Sequence, residues 1–373
     1  MFPSTSRRNW LIASGTAFVA SLAPSRLYGE KRTGSITADE WIRCRAAEAP
    51  LAMRFQGTTA GECRQWQAEF AAKLKSLLGP YTPPQRWQTI RQDASDLKDH
   101  RREQLLLVAE GCPPLPVYLL LPRPRSAKPC PGMLAIHGHG VHGYHTVAGR
   151  DDLPRVREAI QAANYDYGRQ LVRRGYVVAV PCLSPFGPRL GNPEAYGEQD
   201  PCADTFIRLQ MLGKLLIAEN LRDCLWALKL LAQHNEVDAK RLGCAGLSYG
   251  GRMAMLTAAL EPRIRAAVVS GALNVMQERI SGRYSCGAQV IPGLLEYGDT
   301  PEIGSLIAPR PCVWEVGSRD ELIPLRWAEE ALARMGHAYK AVAAESQLIV
   351  DRFEGRHEWH GKVAYSLLEK ALS

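Results

Sequence analysis

The sequence predicts an α/β protein: a mostly parallel central sheet with helices on both faces and an N-terminal helical arm. Three observations carry this prediction. From about residue 130 to the C-terminus, short apolar runs of strand length alternate with helix-length segments. Strands buried on both faces read in this way, as continuous apolar runs rather than alternating ones. Ahead of them, two apolar runs flank a Gly111-Cys112-Pro113-Pro114 turn and read as an antiparallel pair. Finally, Gly246-Leu247-Ser248-Tyr249-Gly250-Gly251 lies between a strand-like run and a helix-like run, the setting of a sharp strand-to-helix turn.

The elements follow in order. Residues 36–79 read as helical: Thr37-Ala38-Asp39-Glu40 offers a cap, and Trp66, Phe70, Leu74 and Leu77-Leu78 recur at helical spacing until Gly79-Pro80. Residues 24–84 are assigned to the arm and 85–373 to the main domain. Residues 104–109 and 115–121 form the lead-in hairpin. Strands follow at 132–136 and 176–180, with a helix at 159–174 between them. A long helix covers 205–234, with Ile217, Leu221, Cys224, Leu225, Leu228 and Leu231 on its inner side. The strand at 241–245 leads into the serine turn and the helix at 252–260. Strands at 264–269 and 312–316, a helix at 323–336, a strand at 346–353 and a helix at 359–371 complete the chain. Two stretches break the alternation, 183–204 and 275–309. Both are rich in Pro, Gly and polar residues and follow strand ends. Ligands of open α/β sheets bind beyond the carboxyl ends of the strands, so these stretches are the expected walls of a cleft.

Composition narrows the function classes. A hydrophobic content of 46% with 23% charged residues is ordinary for a globular protein with a full core. The net charge of +8 is spread without a basic block interleaved with aromatics, which argues against nucleic acid as a partner. Ser6-Arg7-Arg8-Asn9-Trp10-Leu11 is a twin-arginine pattern leading into an apolar run from Trp10 to Ala23, broken by Ser14, Gly15, Thr16 and Ser21. That run is shorter than the roughly 20 residues a membrane span needs. Residues 1–23 therefore read as an export signal of the twin-arginine type, giving a periplasmic or extracellular protein with no stable membrane span after processing. Pro24 hinders cleavage directly after Ala23, and an uncut anchor is the alternative. The ten cysteines are scattered without a Cys-x-x-Cys pair, which argues against a zinc or redox site. Cys182, Cys244 and Cys312 fall in strand-like runs, as small buried hydrophobes do. The sequence does not fix an oligomeric state.

A Gly-x-Ser-x-Gly turn between strand and helix lifts a serine hydroxyl clear of the backbone, beside the free amides of a helix N-terminus. Ser248 is the candidate nucleophile. A serine hydroxyl needs a base, and the expected chain order is Ser, then Asp or Glu, then His. Only His337, His357 and His360 follow Ser248. His357, in a loop after the last strand, is the candidate base; His360 reads as structural or as a cleft residue, and His337 as a surface residue. Asp320, just past the strand at 312–316, is the candidate acid, with Glu321 as competitor; Glu315 lies within that strand. A helix-cap role for Asp320 is the alternative. The oxyanion donors are the backbone amide of Tyr249 and one from the loop His137-Gly138-His139-Gly140, assigned to His139; one such donor contributes about 3 kcal/mol to the transition state. His137, Arg189, Arg356 and His360 are the candidate substrate-binding residues. His137, His139, His142 and His145 also invite a metal reading, but no nearby Asp or Cys in the sequence completes a ligand set. No metal and no cofactor are expected.

Together these residues resemble the dienelactone hydrolase and acetyl xylan esterase-like branch of the α/β-hydrolase superfamily, over roughly residues 85–373. The resemblance rests on His137-Gly138-His139-Gly140, Pro185-Phe186-Gly187-Pro188-Arg189 and Gly246-Leu247-Ser248-Tyr249-Gly250-Gly251. It rests more specifically on Leu306-Ile307-Ala308-Pro309-Arg310-Pro311 leading to Asp320, and on Phe353-Glu354-Gly355-Arg356-His357-Glu358, which look like exported bacterial carbohydrate esterases. The resemblance implies the α/β-hydrolase fold and carries Ser248, Asp320 and His357 over as a triad. The departures lie at the nucleophile: dienelactone hydrolases use cysteine, acetyl xylan esterases place Gln after the serine, and glucuronoyl esterases place Arg there. Here the residue is Tyr249. The expectation is an exported serine esterase acting on a small-molecule or polysaccharide ester, acetylated carbohydrates among them. Ser-Tyr-Gly-Gly also resembles prolyl oligopeptidase-type peptidases, and a catalytically silent binding protein on the same fold is the third reading.

Overall fold

In the computed structural model, which describes residues 37–124, 128–191, 200–282 and 286–373, nine strands form one sheet. They are β1 Gln88–Asp96, β2 His100–Val108, β3 Leu115–Pro122, β4 Cys130–Ile136, β5 Val177–Pro181, β6 Val237–Leu247, β7 Ile264–Ser270, β8 Cys312–Gly317 and β9 Leu348–Phe353. Their order across the sheet is β1-β2-β3-β5-β4-β6-β7-β8-β9. The β1/β2, β2/β3 and β3/β5 pairs are antiparallel. Every pair from β5/β4 to β8/β9 is parallel. The export signal read over residues 1–23 lies outside the described residues.

The helices are α1 Ala38–Ala47, α2 Ala60–Leu78, α3 Tyr144–Val147, α4 Pro154–Ala163, α5 Tyr167–Val172, α6 Pro201–Met211, α7 Leu216–Ala232 and α8 Tyr249–Leu260. They continue as α9 Met276–Gly282, α10 Leu294–Tyr297, α11 Thr300–Ser305, α12 Leu325–Ala341 and α13 Lys362–Leu372. Strand parity explains why both sheet faces are covered. Leu134, Ile136, Cys244, Val269 and Trp314 point to one core, shared with Leu221 and Leu228 of α7, Met253 of α8 and Met335 of α12. Their chain neighbours Met133, Ala135, Ala245, Val268 and Val313 point to a second core, with Leu171 of α5 and Leu368 and Leu372 of α13. Each fully buried leucine contributes about 2 kcal/mol of apolar burial.

Asp39–Ser373 form one compact unit, so α2 shares a core with the sheet helices. Thr59 and Glu62 cap α2 reciprocally, and its buried stripe is Cys63, Trp66, Phe70, Leu74 and Leu78. The Trp66 indole donates to the Met53 carbonyl at 2.6 Å, and Gln67 donates to the Ser305 and Ala308 carbonyls.

Four predicted helices differ from the observed ones. The arm breaks between α1 and α2, where Pro50 disfavours helix at the preceding residue and 51–53 bond to the backbone of 295–297 instead. The 159–174 helix splits at Asn164, which adopts φ +50°. The 205–234 helix splits at Gly213, with φ +67°. The 323–336 helix runs on to Ala341, because buried Ala338 and Tyr339 extend its apolar face past Gly336. Strand β1 is absent from the sequence reading: it is an exposed edge strand of mostly polar residues without alternation.

Candidate active site

Strand β6 ends at Leu247, and Ser248 turns directly into α8 with φ +63° and ψ −125°. A non-glycine residue in this region carries backbone strain of about 1–3 kcal/mol and must be held there by its surroundings. The Ser248 amide donates to the Ser270 carbonyl of β7 at 2.9 Å, and its carbonyl accepts from the Arg252 amide at 3.0 Å. The flanking glycines are required by close approach. A Cβ on Gly246 would meet the Gly250 carbonyl, one on Gly250 the Ile136 carbonyl, and one on Gly251 would sit 2.6 Å from the Ser270 oxygen. The Gly-x-Ser-x-Gly-Gly pattern is thus the residue set that this backbone crossing admits.

The loop after β4 lies against the turn. The Gly138 amide donates to the Tyr165 hydroxyl at 2.8 Å, and a Cβ on Gly138 would meet the Leu247 carbonyl at 2.7 Å. Tyr249 is the first residue of α8, so no intrahelical carbonyl takes its amide. Its side chain is buried, accepting from Asn220 at 2.8 Å. His139 is exposed, with its ring 5.0 Å from that of Tyr249.

Asp320 sits in the loop between β8 and α12. One carboxylate oxygen accepts the Leu322 and Ile323 amides at 2.8 and 3.1 Å; the other meets His357 Nδ1 at 2.7 Å. The Asp320 side chain is only 2% exposed. The N-cap of α12 is Pro324, so Asp320 does not cap that helix. The acid and histidine loops are joined by backbone: the Ser318 amide donates to the Phe353 carbonyl and the Arg319 amide to the Gly355 carbonyl, both at 2.9 Å. Glu321 is exposed. Glu315 is buried, and its carboxylate receives the His360 and Gly361 amides at 3.2 and 2.6 Å, pinning the chain just beyond His357. Burial raises its pKa.

Nε2 of His357, the nitrogen opposite Asp320, is buried and takes no hydrogen bond among the described residues. Ser248, Tyr249, His139 and His357 line one cavity of about 370 Å3. The structure therefore gathers the expected nucleophile, base and both oxyanion-loop residues around a single space, with the acid behind the base.

The four expected substrate-binding residues do not line this cavity. His137 is fully buried: Nδ1 donates to the Gly138 carbonyl at 2.7 Å and Nε2 accepts the Leu183 amide at 2.9 Å. Burial holds its pKa down to about 4, so the ring is a neutral brace between the loops after β4 and β5. Arg189 is a buried partner of Asp223 at 2.5 Å and of the Cys182 carbonyl at 2.8 Å. His360 pairs with Asp351 at 2.7 Å and stacks on Phe353. Arg356 is exposed on the histidine loop. His337 is an exposed residue beside Phe55.

Residues the sequence did not single out line the cavity instead, among them Arg252, Asn274, Arg279, Cys286 and Gln289. Arg252 is 4% exposed and donates to Gln289, Asn274 and Thr300, all neutral acceptors. Burial lowers its pKa to about 10, so it stays cationic at neutral pH. It also borders an adjoining cavity of about 270 Å3 lined mainly by apolar residues such as Met255, Leu256 and Ile291. Its place one helical turn after Ser248 was the available signal.

The fold is that of the α/β-hydrolases, with the serine turn, acid loop and histidine loop at the carboxyl ends of β6, β8 and β9. The prolyl oligopeptidase family profile matches residues 211–278, which span α7, the serine turn and β7. A Bacillus subtilis protein named "Putative hydrolase YtaP" is 29% identical over 306 residues, 78% of this chain and 94% of that protein. Among solved structures, a "putative acetyl xylan esterase" from Bacteroides fragilis superposes with a TM-score of 0.72 at 17% identity, over 87% of this chain and 84% of that one. A glucuronoyl esterase from Solibacter usitatus superposes with a TM-score of 0.60 at 15% identity, over 84% and 93%. Among the described residues no helix is long and apolar enough to cross a membrane.

Proposed function

We propose that this chain is a serine carboxylesterase working through Ser248, His357 and Asp320. The observation that carries the reading is the buried, unpartnered Nε2 of His357. It belongs to a ring fixed by Asp320 and lines the same cavity as Ser248. In this mechanism His357 Nε2 takes the Ser248 proton as the hydroxyl attacks the ester carbonyl. Asp320 holds Nδ1–H and stabilises the imidazolium that forms. The Tyr249 and His139 amides receive the oxyanion. His357 returns the proton to the leaving alcohol, and water then releases the acid by the same steps.

Arg252 and Arg279 give the cavity wall a positive character, which suits esters that carry a carboxylate or a polar sugar. Likeness to the esterases above supports an ester of a polysaccharide or small molecule, and the twin-arginine pattern at Arg7-Arg8 supports export. The domain assignment proposed with this reading is a signal at 1–23, an arm at 24–84 and the catalytic domain at 85–373.

A second reading, a peptidase, is favoured by the prolyl oligopeptidase profile match. Against it, every strand among the described residues that carries an extended ladder belongs to the one nine-stranded sheet, with no propeller. Purified protein assayed with nitrophenyl esters, acetylated sugars and peptide amides separates the two. Ester turnover that disappears in Ser248→Ala, without amide cleavage, supports the esterase. Amide cleavage at comparable kcat/KM, or a Ser248→Ala variant with wild-type ester turnover, contradicts it.

A further inference from the structure

We propose that His139, Cys202 and Cys286 form a binding site for a thiophilic metal ion of the Zn2+ class at the rim of the cavity. The three ligand atoms, one imidazole nitrogen and two sulfurs, all lie within 4.8 Å of one another. His139 Nε2 is 3.0 Å from the Cys286 sulfur. Tetrahedral zinc with bonds of about 2.3 Å to sulfur and about 2.0 Å to nitrogen holds such ligand atoms roughly 3.5–4 Å apart. Small side-chain adjustments close the set around an ion. Two sulfurs and one imidazole select a soft or borderline cation over Mg2+ or Ca2+.

The surroundings hold both sulfurs in place. Cys202 is the second residue of α6, behind the Asp200 cap and Pro201. Cys286 precedes a short 3-10 turn, Gly287–Gln289, and its sulfur accepts the Ala288 amide at 3.4 Å. Both cysteines are buried and carry free thiols. Three protein ligands leave a fourth position. His139 and Cys286 line the cavity, so that position is available to water.

The ligands come from three segments: the loop after β4, the start of α6, and the segment after α9. An ion here ties both cleft walls to the loop that carries the His139 amide. Ligation uses the imidazole ring and leaves the backbone amide free. The sequence concealed the site because its ligands are separated by more than sixty residues and only folding brings them together.

The test is metal uptake by the full chain, read without any esterase assay. Reduced, chelator-treated protein is titrated with Zn2+ alone by calorimetry and with Co2+ alone by absorption. One equivalent bound per chain, with the charge-transfer band of a thiolate–Co2+ bond, is expected. Cys202→Ser and Cys286→Ser should each weaken Zn2+ binding by at least about tenfold, the lower end of what loss of an outer-shell partner alone causes. Cys44→Ser, at an exposed cysteine outside the cluster, should bind as wild type. Wild-type uptake no greater than that of a Cys202→Ser/Cys286→Ser double variant, or absence of the thiolate–Co2+ band, would overturn the proposal. Recovery of Cys202 and Cys286 as a disulfide in untreated protein would overturn it too.

Discussion

Replacing Asp320 by Asn removes one charge and leaves nearly the same shape, so its effect can be worked from the hydrogen bonds. One carboxylate oxygen receives two amides, Leu322 and Ile323, at 2.8 and 3.1 Å. In the Asp320→Asn variant the side-chain amide oxygen must face those two donors, because an NH2 group there would leave both unpaired. The new NH2 group then faces His357 Nδ1, where the carboxylate stood at 2.7 Å. Two donors cannot share that bond, so the imidazole moves its proton to Nε2. That nitrogen can no longer accept the Ser248 proton. Fixing the wrong tautomer in this manner lowers kcat by about 10^4-fold, or about 5.5 kcal/mol of barrier. KM should change little, since Asp320 does not line the cavity. Steady-state hydrolysis of a short-chain nitrophenyl ester measures both parameters. Asp351→Asn is the matched control: it makes the same exchange in the His360–Asp351 pair, whose histidine does not line the cavity. Its kcat should stay close to wild type. An Asp320→Asn enzyme within about tenfold of wild type, or an Asp351→Asn enzyme equally impaired, would refute the assignment.

Three further outcomes are expected. Gly271→Ala should reduce kcat sharply with a small loss of thermal stability, because its Cβ would sit 2.9 Å from the His357 ring at a residue with φ +54°; kcat and Tm measured on the same preparation check it. Arg252→Met should raise KM for esters bearing a carboxylate more than for neutral esters, as paired kinetics on one acyl group with charged and uncharged alcohols would show. Stability should fall on acidification through His137, whose pKa burial lowers from 6.5 to about 4. Between those values the unfolded chain binds a proton that the folded ring refuses. Unfolding is therefore favoured as pH drops, by up to about 1.4 kcal/mol per pH unit, while above 6.5 the group adds no slope. Urea midpoints at pH 7 and pH 5 should converge in His137→Asn relative to wild type; equal slopes in the two proteins would contradict this.

How far the sequence revealed the molecule depended on how local each signal was. The apolar runs of β4, β5, β7 and β8 are buried along almost their whole length, so their composition alone marks them. The serine turn was legible because Gly246, Gly250 and Gly251 each meet backbone atoms that exclude a side chain. Asp320 and His357 followed from their places after β8 and β9. Strand β1 was not legible, because an exposed edge strand needs no apolar pattern. The cavity wall was not legible either. Arg189 and His137 carry the residue types of a binding site, but the fold commits them to Asp223 and to the Leu183 amide. Arg252, on an otherwise apolar helix, reaches the cavity through partners on three separate segments. Spacing along the chain offers no metal set, whereas Cys202 and Cys286 approach His139 only in three dimensions.

The central claim is that Ser248 is an activated nucleophile, and covalent labelling tests it most directly. The account predicts that a fluorophosphonate modifies the folded protein once, at Ser248, and that both Ser248→Ala and His357→Ala abolish rapid labelling. An unmodified wild-type Ser248, or labelling that persists undiminished in Ser248→Ala, would contradict it.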